Sequence, residues 1–119
     1  MNLVYTWLQA KPRIFAPPFD RQLVADLTTD ERYTKTIAAI EGLQKDNAYY
    51  KYGPSEVEAT GEFFSPESNQ IIIGVKVTED YTYYVNDQVV PSESKSGTQV
   101  YRLLFKLEDG RWKIAKTIR

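Results

Sequence analysis

The last third of the chain alternates hydrophobic and polar residues with a period of two, a pattern that predicts β-strands. An Asp109-Gly110 pair interrupts the alternation, and this dipeptide favours a tight hairpin turn whose central residues need positive φ. Because such a turn sets the register, the predicted pairs are Glu108–Arg111, Leu107–Trp112, Phe105–Ile114, Leu103–Lys116 and Tyr101–Ile118. One face of the hairpin is therefore almost wholly apolar, and we expect helices to cover it and to bury Leu103, Phe105, Trp112 and Ile114.

The first part of the chain carries the helical period of about 3.6 residues instead. An amphipathic pattern begins with Leu3, Val4, Trp7 and Leu8. Proline lacks a backbone donor and disfavours helix at the residue before it, so Pro12 predicts that this helix ends near Ala10. Residues 12–19 are expected to form a rigid connector, because they hold three prolines.

Two further helices are predicted from their capping residues. Asp20 is expected to cap a short helix over residues 21–27. Thr28 and Glu31 match the T-x-x-E capping box, which predicts the start of a longer helix that ends within residues 45–47.

After these helices the period of the pattern changes from helical to two. The predicted strands cover residues 49–52 and 56–64, which Gly53-Pro54 separates, and then, after a turn over residues 65–69, residues 70–78 and 79–85. Helices followed by antiparallel strands predict the α+β class. We expect N-terminal helices packed on a curved antiparallel sheet, a cone-like architecture of the nuclear-transport-factor-two-like kind.

Composition restricts the classes of function. With 119 residues and a net charge of −1, the chain is an ordinary domain without the basic surface that nucleic-acid binding needs. It contains no cysteine and no histidine, which excludes thiol catalysis, serine–histidine triads and most zinc and haem sites. No pair of acids is marked for acid–base chemistry, and we expect no enzymatic activity, no metal and no cofactor. No apolar run is long enough for direct membrane insertion.

Tyrosine is the most distinctive residue type, with nine among 119 residues. The tyrosines form two groups, Tyr49, Tyr50 and Tyr52, and then Tyr81, Tyr83 and Tyr84. Strands favour aromatic residues on half-buried surfaces, so ordinary packing is one interpretation. The other is that some are interface anchors. Alternation sends Tyr49 and Tyr50, and likewise Tyr83 and Tyr84, to opposite faces of the sheet.

Four basic residues of the hairpin are open to two interpretations. Lys116 is the single charge among apolar residues on its face. It is either a snorkelling lysine, whose ammonium group reaches solvent, or a cation at the mouth of a pocket. Arg102, Lys106 and Lys113 lie on the other face, where Lys106 and Lys113 are directly opposed like charges. That face is either solvated or contacts an acidic partner.

Three segments together resemble a known family. They are WLQAK (Trp7–Lys11), NAYYKY (Asn47–Tyr52) and TQVYRLLFKLEDGRWKI (Thr98–Ile114). In this order they are similar to the intermembrane-space (IMS) domain of cyanobacterial and plastid division proteins, a domain that is also appended to cyanobacterial serine/threonine kinases. The chain departs from the family's pattern at PRIFAPPF (Pro12–Phe19), where the family has a more helical, charged stretch.

The resemblance implies a non-catalytic protein-interaction module that binds a peptide or protein tail in the concave groove between sheet and helices. The expected partner-binding residues are Trp7, Tyr50, Tyr83, Tyr101 and Trp112, with Lys116 as a partner for a carboxylate. A small-ligand-binding or isomerase-like protein on the same cone fold is the alternative. A homodimerisation module that uses the face of Arg102, Leu104 and Lys106 is a third interpretation.

The extent of the domain and its location are further expectations. An amphipathic pattern that starts directly after Met1 indicates that residues 1–119 are a single IMS-like domain excised from a longer multidomain protein. The location stays open, and a membrane-anchored cyanobacterial protein is one parent that the resemblance implies.

Overall fold

Three helices precede six antiparallel strands in the computed structural model, which describes residues 2–118. The helices are α1 (Asn2–Ile14), α2 (Arg21–Leu27) and α3 (Asp30–Lys45). The strands are β1 (Ala48–Tyr52), β2 (Glu56–Glu67), β3 (Gln70–Val85), β4 (Gln88–Val89), β5 (Lys95–Glu108) and β6 (Arg111–Ile118), and a short 3₁₀ turn, Pro91–Glu93, precedes β5. The predicted α+β class is confirmed, with the helices packed on a strongly curled, half-barrel sheet.

The long strand β3 organises the sheet. Its first half pairs with β2, its last residues pair with β1 and β4, and β5 runs antiparallel along most of its other edge. Strand β6 continues the sheet beyond β5. The predicted division of the first strand at Gly53-Pro54 is confirmed, whereas the predicted turn over residues 65–69 is too long, because β2 continues to Glu67.

The register of the terminal hairpin agrees with the prediction only near the turn. Glu108 pairs with Arg111, Leu107 with Trp112 and Phe105 with Ile114. A β-bulge at Ala115 then shifts the register, so that Leu104 pairs with Lys116, Leu103 with Thr117 and Arg102 with Ile118. The predicted pairs of Leu103 with Lys116 and of Tyr101 with Ile118 are therefore wrong. An extra residue in one strand displaces every later side chain by one position.

The core lies between the helices and the concave face of the sheet. It contains Val4, Trp7, Leu8, Ala10, Ile14, Val24, Ile40, Val75, Val77, Leu103, Phe105 and Ile114. Leu103, Phe105 and Ile114 are buried as predicted, whereas Trp112 is only half-buried against this core. Leu104 is also buried, although it lies on the opposite face, in register with Ile72 of β3 and Lys116 of β6.

Two helix boundaries differ from the prediction. Helix α1 continues through Pro12 to Ile14, because the wholly buried Ile14 side chain offsets the lost backbone hydrogen bond of the proline. Helix α3 begins at Asp30, with Thr29 rather than Thr28 as its N-cap. The Thr29 hydroxyl donates to the carboxylate of Glu108, and therefore joins the helix to the hairpin instead of capping it.

Candidate protein-interaction groove

A cavity of about 740 Å³ opens on the concave face of the sheet. We call it the groove. Helices α1 and α3 form one wall, and strands β3 and β5 form the other. Its aromatic lining consists of Trp7, Phe15, Tyr50, Tyr52, Tyr81, Tyr83 and Tyr101. The alternation of β3 directs Val77, Glu79, Tyr81 and Tyr83 to this face.

Tyr50 is the centre of the aromatic lining. Its ring centroid lies 4.9 Å from that of Tyr83, its partner in the β1–β3 register, and 5.3 Å from that of Tyr81. Phe15 packs edge-on against Tyr50 at 6.4 Å, and Trp7 packs edge-on against Phe15 at 6.1 Å. Edge-to-face pairs at these separations are favourable aromatic geometries. The rings therefore form a continuous surface from α1 to the end of β3.

Burial raises the pKa values of three tyrosines in this aromatic lining. Desolvation is the largest cause that raises the pKa of Tyr50, Tyr52 and Tyr81 above the ordinary value of 10.0. The nearby carboxylate of Glu79 raises the pKa of Tyr52 and Tyr81 further, because it disfavours a second negative charge. These phenols are thus neutral hydroxyl groups at physiological pH, able both to donate and to accept hydrogen bonds.

One ion pair crosses the groove. Lys11 Nζ of α1 lies 2.8 Å from Glu79 Oε2 of β3, and both side chains are largely shielded from solvent, with exposed fractions of 18% and 16%. The Lys11 ammonium also lies 6.0 Å from the centroid of the Tyr52 ring, within the range of a cation–π contact. The charges of Lys11 and Glu79 are therefore compensated within the protein.

Three other cations line the groove. Arg32 of α3 donates to the Thr117 hydroxyl at 2.6 Å, and Lys35 lies 3.8 Å from the carboxylate of Glu31. Lys95, at the start of β5, makes no ion pair with any side chain of residues 2–118. Four basic and two acidic side chains line the groove.

Comparison with known proteins identifies the family. The model of the ARC6-like IMS domain family matches residues 1–115. The chain belongs to this family. The resemblance to the IMS domains of plastid and cyanobacterial division proteins is thereby confirmed.

A solved structure shows that the fold is shared as well. The intermembrane space region of chloroplast protein ARC6 superposes on this IMS domain with a TM-score of 0.81. The match covers 98% of this chain and 90% of that chain, at 13% sequence identity. No curated protein matches the chain. None of the helices that the structure describes is long and apolar enough to cross a membrane.

The structure brings four of the predicted site residues of this IMS domain together. Trp7, Tyr50, Tyr83 and Tyr101 all line the groove. Trp112 does not, because it lies near the hairpin turn opposite Leu107 and packs against the core.

Lys116 is not where the sequence predicted it. The bulge at Ala115 turns Lys116 to the outer face, where its side chain is exposed. Thr117 takes the place in the groove that was expected for this cation.

Several groove residues of the IMS domain were not predicted from the sequence. Tyr52 follows Tyr50 by two positions, and Tyr81 precedes Tyr83 by two positions. The alternation of β1 and β3 was therefore a usable signal for both. Lys11 follows Trp7 by one helical turn, which was a second signal. For Lys95 there was none, because its position depends on where β5 begins.

Two lysines on the outer face of the hairpin are paired with acids of the protein. Lys106 and Lys113 are directly opposed, as predicted. Lys106 is paired with Asp30 at the start of α3, and Lys113 lies 3.1 Å from a carboxylate oxygen of Glu108. Internal acids therefore relieve the repulsion between the two lysines.

The outer face of the opposite end of the sheet carries a second tyrosine pair. The Tyr49 and Tyr84 rings stack with centroids 5.0 Å apart and planes 8° apart. Tyr49 and Tyr84 are thus directed away from the groove, whereas their neighbours Tyr50 and Tyr83 line it. This agrees with the alternation that the sequence predicts.

Proposed function

We propose that this IMS domain is a non-catalytic interaction module that binds a peptide or protein tail in the groove. The observation that carries the proposal is the continuous aromatic surface around Tyr50, which lines an open groove instead of filling it. Large, stiff aromatic side chains with a polar tip are the residues that most often dominate binding energy at protein interfaces.

The shape and polarity of the groove support the same proposal. A groove of about 740 Å³ holds several residues of an extended chain, and it lies within the size range of known binding clefts. The phenol hydroxyls of Tyr50, Tyr52 and Tyr81 stay neutral, so that they can pair with peptide N–H and C=O groups.

An isomerase-like activity is the second candidate, and Glu79 is the observation that favours it. Its carboxylate lies in the groove near Tyr52, where the sequence had marked no acid. However, Glu79 Oε2 accepts a hydrogen bond from Lys11. This contact makes Glu79 a link between α1 and β3 rather than an available base, and we therefore favour binding.

Selection from a displayed library of random peptides tests the proposed function. We expect the native domain to enrich peptides that Tyr83→Ala binds at least about thirtyfold more weakly, because a central aromatic anchor contributes about 2 kcal/mol or more. Tyr84→Ala is the matched control, because Tyr84 is the adjacent tyrosine on the outer face. No enrichment, or an equal loss in both variants, would contradict binding in the groove.

A further inference from the structure

Strand β2 forms an edge of the sheet in the middle of the chain. It pairs with β3 along one side, and β5 lies along the opposite side of β3. Among residues 2–118, no strand pairs with the outer side of β2. All residues of β2 except the half-buried Val57 are exposed. An accessible strand edge is the template on which an extended segment of a partner forms an additional strand.

Two adjacent phenylalanines of β2 are largely exposed. Phe63 and Phe64 have exposed fractions of 67% and 60%. Phe63 is in register with Ile73, which packs against the core, and Phe64 is in register with Ile72. Because successive side chains of a strand point to opposite faces, a segment placed beside β2 would meet one aromatic ring on each of its faces. Exposed aromatic side chains that lie together are typical of interaction surfaces.

A bulge in β2 precedes the two phenylalanines and fixes their position. The register with β3 shifts within residues 59–63, where Gly61 has a φ of 94° that favours glycine. The bulge lies close against β3, because a Cβ atom at Gly74 would clash with Thr60 Oγ1. The exposure of the phenylalanines therefore belongs to a defined backbone geometry.

The charge of β2 indicates the chemistry of its partner. Residues 52–75 contain four glutamates and no other charged residue. All four are exposed residues of β2, and none forms an ion pair with another residue from 2 to 118. They are Glu56, Glu58, Glu62 and Glu67. Uncompensated acids beside exposed aromatic rings suit a partner that is both basic and apolar.

The glutamates of the first half of β2 alternate with a residue of the opposite face. Val57 is in register with the buried Val77, whereas its neighbours Glu56 and Glu58 are directed to the outer face. Cross-strand neighbours of opposite charge, and of matching apolar character, stabilise a sheet. A strand beside β2 would therefore carry basic residues on its outer face and apolar residues on the other.

A second copy of the domain does not meet this requirement. Pairing of two β2 strands would bring together four glutamates from each copy without any cation from either strand. Like charges on paired strands are destabilising, and charged edge strands are a common means of preventing such self-association. The occupant that complements β2 is therefore a different, basic chain.

We propose that β2 takes up a basic, extended segment of a partner protein as an added strand, in which lysine or arginine alternates with apolar residues. Phe63 and Phe64 contact this segment on its two faces. The surface is separate from the groove, because no residue of β2 lines the groove. The inference thus goes beyond the proposed function and does not depend on it.

Binding of defined peptides to the native domain tests the charge requirement. The probes are a peptide of about ten residues in which lysine and valine alternate, and its counterpart with glutamate in place of lysine. We expect calorimetric titration to show that the basic peptide binds at least about tenfold more tightly than the acidic one. Equal affinities, or no binding of the basic peptide, would overturn the inference.

Backbone N-methylation tests the added strand directly and needs no change in the protein. One version of the basic peptide is N-methylated at every lysine, and the other at every valine. Only one of these sets of N–H groups faces β2 in an added strand. We therefore expect one version to lose at least about tenfold in affinity while the other retains binding. Equal affinities of the two versions would show that no strand is added.

A pair of charge reversals locates the site. Glu56→Lys is expected to weaken binding of the basic peptide about tenfold, since a repulsion replaces an attraction. Glu41→Lys is the matched control, because Glu41 is an exposed glutamate of α3 and the change in net charge is the same. An equal effect of both reversals would place the peptide away from β2. Circular dichroism verifies that both variants fold.

A second pair of variants tests the aromatic contacts. Phe64→Ser is expected to weaken binding of the basic peptide at least about fivefold, because it removes an exposed ring from the docking surface. Val100→Ser is the matched control, since Val100 is an exposed apolar residue of β5 with an exposed fraction of 64%. An equal effect of both variants would exclude Phe64 from the site.

Two further measurements distinguish this inference from its alternatives. We expect Tyr83→Ala, which changes the groove, to bind the basic peptide as tightly as the native domain does. A loss of binding in this variant would place the peptide in the groove and overturn the inference, whereas the proposed function would stand. Sedimentation of the native domain is the other measurement. A dimer that Phe64→Ser dissociates would show that a second copy occupies β2.

Discussion

Lys11 Nζ of α1 donates a hydrogen bond of 2.8 Å to Glu79 Oε2 of β3, although 68 positions separate the two residues in the chain. The ion pair spans the groove and joins the first helix to the curled strand that carries Tyr81 and Tyr83. Its two side chains are largely shielded from solvent, so the contact has consequences for stability that exposed pairs do not have.

Lys11→Met is expected to lower the free energy of unfolding by roughly 1–3 kcal/mol, because it leaves the partly buried carboxylate of Glu79 without its donor. Urea denaturation measures the change. Lys35→Met is the control, since its ion pair with Glu31 is exposed and contributes about 0.5 kcal/mol or less. A loss in Lys11→Met no larger than in the control would show that the ion pair is not structural.

Phe105→Ala is expected to cost about 3–5 kcal/mol in the free energy of unfolding, because the side chain fills the core between helices and sheet and has an exposed fraction of 4%. Val100→Ala, in the same strand but exposed, should change the free energy by about 0.5 kcal/mol or less. Similar midpoints for the two variants in denaturant would contradict the described register.

Deletion of Ala115 is expected to leave the register of the hairpin unchanged, because it removes only the unpaired extra residue of the bulge. Lys116 would still lie opposite Leu104, and Thr117 opposite Leu103. The deletion also removes a buried side chain, with an exposed fraction of 1%, and should lower the free energy of unfolding by about 0.5–3 kcal/mol. Circular dichroism and thermal unfolding measure the variant, with Ala115→Gly as the control that retains the bulge. A deletion variant that does not fold would contradict this prediction.

Stability is expected to fall as the pH rises above about 10, and Tyr52 is expected to contribute to the fall. Burial raises the pKa of the Tyr52 phenol in the folded protein, whereas the unfolded chain ionises near the ordinary value of 10.0. Above that pH the unfolded state binds fewer protons than the native state, so stability declines with pH. Phenolate absorbance and alkaline unfolding test this. Tyr52→Phe should make stability decline less steeply with pH. An unchanged dependence of stability on pH in this variant would contradict the contribution of Tyr52.

At acidic pH, Glu108 is expected to contribute stability that is lost as the pH falls. Hydrogen bonds from the Thr29 hydroxyl and from Lys113 lower the pKa of its carboxyl below the ordinary value of 4.5. The contribution to stability is therefore complete above that value and is lost as the pH falls through the lower, folded-state pKa. Glu108→Gln should flatten this part of the stability profile in acid unfolding. The exposed Glu58→Gln should leave it unchanged.

The order and type of the elements follow from the sequence alone, because the signals for them are local. The periods of 3.6 and two distinguish helices from strands, and Asp20 caps α2 as predicted, accepting a hydrogen bond from the backbone N–H of Leu23. The Asp109-Gly110 turn places Phe105 opposite Ile114. Alternation also directs Tyr49 and Tyr50, and likewise Tyr83 and Tyr84, to opposite faces of the sheet, and the structure agrees, since Tyr50 and Tyr83 line the groove whereas Tyr49 and Tyr84 do not.

Which charges reach the groove, in contrast, depends on how the whole chain folds. The bulge at Ala115 moved Lys116 out, and the start of β5 brought Lys95 in. Thr29 bonds to Glu108 and Lys11 to Glu79, across 79 and 68 positions of the chain. Such contacts depend on how helices and sheet pack together. A local pattern predicts the direction of a side chain within its own strand, but not an extra residue inserted where that strand bends over a core.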